Sequence, residues 1–183
     1  MKYIVVAILA LSGACALQAQ NAEALVKDLQ QSYMGIKMNL LAAAEAMPDA
    51  DYDFKLSASQ RTFGGWVAHV AEAQMGSCSG INGASKKSDA GSKTSKADLL
   101  AALKASFDEC DTAYNGTTPE NYLSGVRGFR GETPRLASLY GNFGHDQECY
   151  GNMVGYLRSK NIVPPSTKRM EEMMKRRAEK EGK

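Results

Sequence analysis

The sequence lacks any run of apolar residues long enough to cross a membrane. Its longest apolar run, from Ile4 to Leu11, has eight residues, whereas a transmembrane helix needs about 20. A short basic start precedes this run and small residues follow it, an order that is typical of a secretory signal peptide. We therefore predict a signal peptide at residues 1–19, cleaved after Ala16 or Ala19, and export of the protein to the periplasm or the medium.

Lipidation at Cys15 is the alternative for this N-terminus. The stretch from Ser12 to Cys15 resembles a lipoprotein cleavage site, but Ser12 stands where such sites usually carry leucine. We therefore favour export without a lipid anchor.

The sequence also lacks a strong excess of charge of either sign. The formal net charge is +2, and it is unevenly distributed. Residues 168–183 contain seven Lys or Arg and four Asp or Glu, whereas residues 22–167 contain fourteen and sixteen. The main domain therefore has no charge basis for binding nucleic acid. We predict that residues 168–183 form a charged C-terminal tail, either as a short solvated helix or as a disordered end.

Motifs of several enzyme classes are missing. The Gly- and Lys-rich segment at 82–95 contains no GxxxxGK[ST] sequence, so nucleotide binding has no support. No Ser-His-Asp order and no pair of glycosidase carboxylates stands out. Once the signal peptide is removed, the remaining cysteines are Cys78, Cys110 and Cys149. In an oxidising compartment two of these three can pair.

No convincing strand pattern occurs, and apolar residues recur instead at helical spacing. We predict an all-α four-helix bundle over residues 22–167. Its four long helices are expected near residues 22–47, 59–82, 96–115 and 133–161. The second helix is expected to open with a capping box at Ser57–Gln60 and the third with one at Ser95–Asp98. Residues 117–132 are predicted to be irregular, and Pro134 to lie in the first turn of the fourth helix.

The fourth predicted helix carries two metal-ligand residues. His145 and Cys149 are four positions apart, so they lie on one face of the helix, one turn from each other. A nitrogen and a sulfur ligand in this arrangement can bind one metal ion from a single helix. The simpler interpretation is a surface histidine beside a buried cysteine, and a third ligand from elsewhere in the chain decides between the two. By itself, His69 on the second helix is typical of a hydrogen-bonded boundary residue.

Several segments together resemble the DinB-like family of damage-inducible four-helix proteins. They are Met47-Pro48, RTFGGWVAHVAEAQ at 61–74, YGNMVGYLR at 150–158 and IVPPS at 162–166. The resemblance covers about residues 25–167. It implies a four-helix bundle with a metal site between the helices, whose usual ligands are one histidine on the second helix and two histidines four apart on the fourth.

The family's ligands correspond to His69, His145 and Cys149 in this chain. Cys149 stands where the family usually has histidine, so the set implied is two imidazoles and one thiolate with an open fourth position. This is a known catalytic zinc set, and a thiolate favours zinc over magnesium or manganese. Glu72 and Glu148 are candidates to hydrogen-bond a ligand or to act as a base, against the alternative of surface salt bridges.

The resemblance leaves two functions open. One is a metal-dependent enzyme, hydrolase-like or thiol-transferase-like, that acts on an unidentified small molecule or thiol. The alternative is a non-catalytic exported binding protein in which the change at Cys149 has made the metal site degenerate. A homodimer formed through an exposed helix face is a further expectation, although no residue locates that face.

Exclusion then predicts a disulfide between Cys78 and Cys110. If Cys149 binds a metal beside His69, Cys78 lies about 13 Å further along the second helix at ~1.5 Å per residue. Bridged Cα atoms lie within roughly 7 Å, so Cys78 is out of reach of Cys149. Cys78 is near the end of its helix, whereas Cys110 is about four turns into the next. The loop at 82–95 must therefore absorb the offset.

Overall fold

The structure is a computed structural model that describes the backbone of residues 2–128 and 131–182 and the side chains of residues 20–128 and 131–182. Its helices are α1 (Lys2–Ala46), α2 (Phe63–Ile81), α3 (Lys96–Asn115), α4 (Arg135–Ser159) and α5 (Pro165–Glu181). Two short strands, β1 (Gly125–Gly128) and β2 (Gly131–Pro134), come before α4.

Helices α1 to α4 form one bundle, which confirms the predicted all-α fold. Helices α1 and α2 each pack against both α3 and α4. The backbone of α1 is helical from Lys2 onward. The side chains of the predicted signal peptide, residues 1–19, lie outside the described residues. In the part of the chain that was described, no helix has both the length and the hydrophobicity needed to cross a membrane.

Large side chains from all four helices fill the interior of the bundle. The most deeply buried are Leu29, Tyr33, Ile36, Leu40, Met47, Phe63, Leu103, Phe107, Tyr114, Leu139, Met153 and Tyr156. The rings of Tyr33 and Tyr114 are stacked with centroids 3.7 Å apart, so they join α1 to α3 by direct aromatic contact.

Helix α3 has the bounds that the sequence predicts. The Ser95 side chain accepts a hydrogen bond from the backbone N–H of Asp98 at 3.1 Å, which satisfies one of the unpaired donors at the helix start. The helix ends at Asn115, directly before Gly116. The Ser95 cap therefore determines where this helix starts.

Helix α2 begins four residues later than predicted, at Phe63. The residue that caps it is Thr62, whose side-chain oxygen accepts from the N–H of Gly65 at 2.9 Å. Residues 57–60 form only an isolated turn, in which Gln60 N–H donates to the Ser57 carbonyl. The first two N–H groups of the helix, those of Phe63 and Gly64, donate to the loop carbonyls of Phe54 and Tyr52.

The segment predicted to be irregular contains a β-hairpin, which is a correction to the sequence analysis. Strands β1 and β2 pair antiparallel, with Val126 opposite Thr133 and Gly125 opposite Pro134. Pro134 therefore ends a strand, and α4 starts one residue later. Four-residue strands bounded by glycine are too short to show an alternating pattern. The hairpin lies so close to α2 that Gly80 has no room for a side chain. A Cβ atom added there would lie 2.6 Å from the Arg127 carbonyl oxygen.

Helix α5 covers most of the predicted charged tail. The tail was predicted to be either a short solvated helix or a disordered end, and the structure shows a helix. Its first residue is Pro165, where the missing N–H costs nothing. None of its residues is fully buried. Met170, Met173 and Met174 are among the exposed apolar side chains.

The sulfur atoms of Cys78 and Cys110 lie at disulfide-bonding distance, with their Cα atoms 4.9 Å apart. This Cα separation is within the usual range for a bridge. The loop between α2 and α3 absorbs the expected offset, because it runs back along α2 until Gly91 N–H donates to the Glu72 carboxylate at 2.9 Å. Cys149 is buried and is not part of this pair.

Loss of the buried Tyr114 hydroxyl should destabilise the bundle. The hydroxyl oxygen lies 2.9 Å from the Leu139 carbonyl oxygen and 3.0 Å from the Asn142 side-chain oxygen. Tyr114→Phe removes the one hydrogen that these two buried oxygens share, so we expect it to lower the free energy of unfolding by about 1–3 kcal/mol. Urea denaturation followed by circular dichroism measures the change. The control is Tyr140→Phe, where the side chain is 38% exposed and the change should stay within about 0.5 kcal/mol. Equal losses in the two variants would contradict the role of the buried hydroxyl.

Non-reducing peptide mapping of the protein, purified without reductant, should recover one peptide pair linked through Cys78 and Cys110. Cys149 should be alkylated as a free thiol. Closing the 32-residue separation would stabilise the fold by about 3–4 kcal/mol in the chain-entropy model. A linkage from either cysteine to Cys149, or alkylation of all three thiols, would show that the pairing is wrong.

Candidate functional site

The chain's only two histidines meet between α2 and α4. His69 and His145 are 76 positions apart in sequence, yet their Nε2 atoms lie 3.1 Å apart. Their ring centroids are separated by 5.0 Å at an angle of 61°. The packing of α2 against α4 therefore supplies the third donor that the pair on α4 lacked.

Cys149 completes the cluster one helical turn after His145. Its sulfur lies 3.6 Å from Nε2 of His145, and the donor atoms of all three residues lie within 4.8 Å of one another. Tetrahedral zinc with bonds of ~2.0–2.3 Å separates its ligand atoms by about 3.3–3.8 Å. Cys149 is only 1% exposed, whereas the two imidazoles are partly exposed. The donor set and its spacing therefore fit one metal ion that is reached from the histidine side.

The two imidazoles differ in their electrostatic surroundings. Burial, followed by the positive charge of Arg61 and the neighbouring His145, lowers the pKa of His69 below its usual range. His69 is therefore neutral near pH 7, which is the form that binds metal. The Asp146 carboxylate and the Cys149 sulfur raise the pKa of His145 to about 10. Binding of a metal by His145 must therefore release a proton.

Asp146 is the one residue of this region that the sequence analysis missed. Its side chain is fully buried, and one oxygen, Oδ2, accepts a hydrogen bond from Gln74 Nε2 at 3.0 Å. The other oxygen, Oδ1, lies 3.8 Å from Nδ1 of His145. Burial raises the pKa of Asp146, while the adjacent His145 and Gln74 act in the opposite direction. The only sequence signal was indirect: Gln74 is a polar residue on the otherwise apolar face of α2.

The two glutamates considered as partners of the metal ligands do not enter the cluster. The Glu72 carboxylate accepts from the backbone N–H of Gly91 in the loop after α2, so it fastens that loop. Glu148 is exposed on the outer face of α4. Among the described residues, the candidate metal group consists of His69, His145 and Cys149 alone.

A groove of about 470 Å³ lies on the α2 side of the cluster and reaches His69. Its walls include Lys55, Arg61 and Lys93 from the segments on either side of α2. The Arg61 guanidinium lies 5.1 Å from the centre of the Trp66 ring. The Trp66 ring in turn contacts His69 edge-on, with centroids 5.9 Å apart. Asp53 and Glu72 also line the groove, so its walls carry three cationic and two acidic side chains.

Comparison with known proteins agrees with this architecture. The family model described as the DinB superfamily matches residues 36–151, a range that includes all three members of the cluster. A DinB-like protein from Bacillus cereus has a TM-score of 0.64 at 16% identity, covering 76% of this chain and 95% of its own. A DinB-like protein from Bacillus subtilis has a TM-score of 0.58 at 14% identity, covering 74% and 93%. At these identities the solved structures show the fold alone. No curated protein matches the chain.

Trp66 should report metal binding at the cluster. It is the only tryptophan of the chain, and cobalt(II) is accepted by sites with imidazole and thiolate ligands. We expect added cobalt(II) to quench the Trp66 fluorescence until the site is saturated, because the ion would lie beside the His69 ring. In His145→Ala, the saturable quenching should disappear. A saturable signal of the same size in that variant would place the ion elsewhere.

Proposed function

Because the chain belongs to the DinB superfamily, we propose that it is an exported metal-dependent enzyme whose metal ligands are His69, His145 and Cys149. The observation that carries this proposal is the convergence of the only two histidines, from different helices, on one cysteine. Helix packing alone does not require a buried thiol to face two imidazoles. Shared metal coordination is a sufficient reason for the arrangement.

Zinc is the metal that suits this donor set best. Two imidazoles and one thiolate are soft to intermediate ligands, and the three residues leave one coordination position open. Zinc in such a site supplies Lewis acidity, which activates water or a thiol cosubstrate. The neutral His69 and the buried Cys149 thus supply ligands from two helices, and the bundle keeps them in place.

The groove beside His69 is the side from which we expect the substrate to approach. Three cationic side chains line it against two acidic ones, Asp53 and Glu72, and this excess of positive charge favours a small molecule or thiol that carries an anionic group. The indole of Trp66 lies beneath the Arg61 guanidinium and holds that charge near the site. These features are compatible with both a hydrolase-like and a thiol-transferase-like reaction.

We also propose that the protein works outside the cytoplasm. The support is the signal-peptide pattern of residues 1–19 together with the Cys78–Cys110 pair, whose geometry is compatible with an oxidising compartment.

A non-catalytic binding protein is the second candidate function. The observation that favours it is Cys149, which stands where the family usually has histidine and is almost completely buried. A site without metal, or one closed to a fourth ligand, would agree with this alternative.

Metal content tests the proposed site. We expect tag-free protein, purified without chelators, to contain about one zinc per chain by elemental analysis. His69→Ala and His145→Ala should each lose most of the zinc and keep the helical circular dichroism, because both side chains are partly exposed and contribute little to the core. Glu148→Ala is the matched control, since this exposed residue adjoins Cys149, and it should keep its zinc. Absence of zinc from the unsubstituted protein, or its retention in both histidine variants, would refute the proposal.

A further inference from the structure

Asp146 occupies an unusual position for a carboxylate. It is completely buried in the bundle, and its Oδ1 atom has no hydrogen-bond partner among the described residues. A buried acceptor without a partner costs stability, and a buried carboxylate that is not paired costs more. Oδ1 lies 3.8 Å from Nδ1 of the His145 imidazole.

A chain of hydrogen bonds determines how the Asp146 carboxylate is oriented. Ser106 Oγ lies 3.3 Å from Gln74 Oε1 and 2.8 Å from the Leu103 carbonyl oxygen, which share its one hydrogen. An ionised Asp146 accepts hydrogen bonds only, so the amide nitrogen of Gln74 is the atom that faces it. That nitrogen donates to Oδ2 of Asp146 at 3.0 Å. Both Ser106 and Gln74 are fully buried. With Oδ2 held by this chain, Oδ1 is left on the side of His145.

The two ring nitrogens of His145 face different surroundings. Nε2 faces the cluster, 3.1 Å from Nε2 of His69 and 3.6 Å from the Cys149 sulfur. Nδ1 lies 3.8 Å from Oδ1 of Asp146 and 3.9 Å from the Cys149 sulfur, so Nε2 is the nitrogen that is nearer to both other members of the cluster. A neutral imidazole binds metal through one nitrogen and carries its hydrogen on the other, and the partner of the second nitrogen determines which tautomer forms.

We propose that Asp146 is a positioning residue that keeps the hydrogen of His145 on Nδ1, so that Nε2 is the ligand atom. Gln74 and Ser106 support it by holding the carboxylate in place. As far as it concerns metal affinity, this inference rests on the proposed metal site. The position of the hydrogen on His145 is read in the zinc-loaded protein, where the imidazole is neutral.

The isosteric variant Asp146→Asn should reverse the tautomer. Gln74 donates to the side chain at position 146, so the carbonyl oxygen of the new amide should turn toward Gln74. Its NH₂ group would then face Nδ1 of His145 and favour an unprotonated Nδ1. We expect zinc affinity, measured by competition with a chromophoric chelator, to fall by about 10–100-fold. Asp111→Asn is the control: that Asp also accepts hydrogen bonds, from Tyr33 and Lys37, but it is not in the cluster and its loss should leave zinc affinity within about threefold.

A compensating change separates positioning from general destabilisation. Adding Gln74→Glu to Asp146→Asn supplies an acceptor for the new NH₂ group. The amide oxygen would then face Nδ1–H of His145, and zinc affinity should recover by about tenfold or more. A role in packing alone predicts no recovery, because the double variant keeps the same atoms at position 146.

Nuclear magnetic resonance reads the tautomer directly, since the chain has only two histidines. Two-bond ¹H–¹⁵N correlation of the zinc-loaded protein should show a protonated Nδ1 and an unprotonated Nε2 in His145, and zinc-loaded Asp146→Asn should lose the Nδ1 proton. An unprotonated Nδ1 in the zinc-loaded unsubstituted protein overturns the inference even if the variant does not fold. So does unchanged zinc affinity in a folded Asp146→Asn variant. Failure of the unsubstituted protein to bind zinc would refute the proposed function and this inference with it, whereas zinc binding through Nδ1 would refute this inference alone.

Discussion

The register of α2 against α4 is the constraint on which the polar interior depends. Along α2, His69 and Gln74 each meet a different residue of α4. His69 meets His145 at 3.1 Å, and the Gln74 amide meets Asp146 at 3.0 Å. Buried polar groups need partners, so a shift of one helix along the other would leave several of them unpaired at once. Apolar packing alone tolerates such shifts far better.

The fold could be predicted where local signals determine the structure. Helix α3 has its predicted bounds because Ser95 caps its start and Gly116 follows its end. The start of α2 was placed wrongly because Ser57 and Gln60 have the spacing of a capping box, while the loop carbonyls at Tyr52 and Phe54 satisfy the helix only from Phe63 onward. The contacts with these loop carbonyls depend on the tertiary structure, so the sequence around residues 57–63 does not show them. The hairpin escaped prediction for a related reason, since its two short strands are stabilised by contact with α2 and α4.

The site, too, could be predicted only where a local signal exists. Helical spacing joined His145 to Cys149, but only the family resemblance added His69, which periodicity alone placed as an ordinary boundary residue. Asp146 was out of reach of both arguments. It follows His145 directly, about 100° around the helix, in a polar run that looks solvent-exposed. Its burial follows from the packing of α2, α3 and α4, through Gln74 and Ser106. Only the polar Gln74 on an apolar face hinted that the interior contained a hydrogen-bonding partner.

The pairing of Cys78 with Cys110 has a consequence for the response of the protein to proteolysis. With that bond formed, α2, the loop at 82–95 and α3 are parts of one covalent ring. Lys86 and Lys87 are exposed on this loop, where trypsin-like proteases cut most readily. A single cut there would open the ring without releasing a fragment, because the sulfur bridge still joins the two halves beside the core. The nicked chain would keep His69 on one half and His145 with Cys149 on the other, in one molecule that separates only when the bridge is reduced.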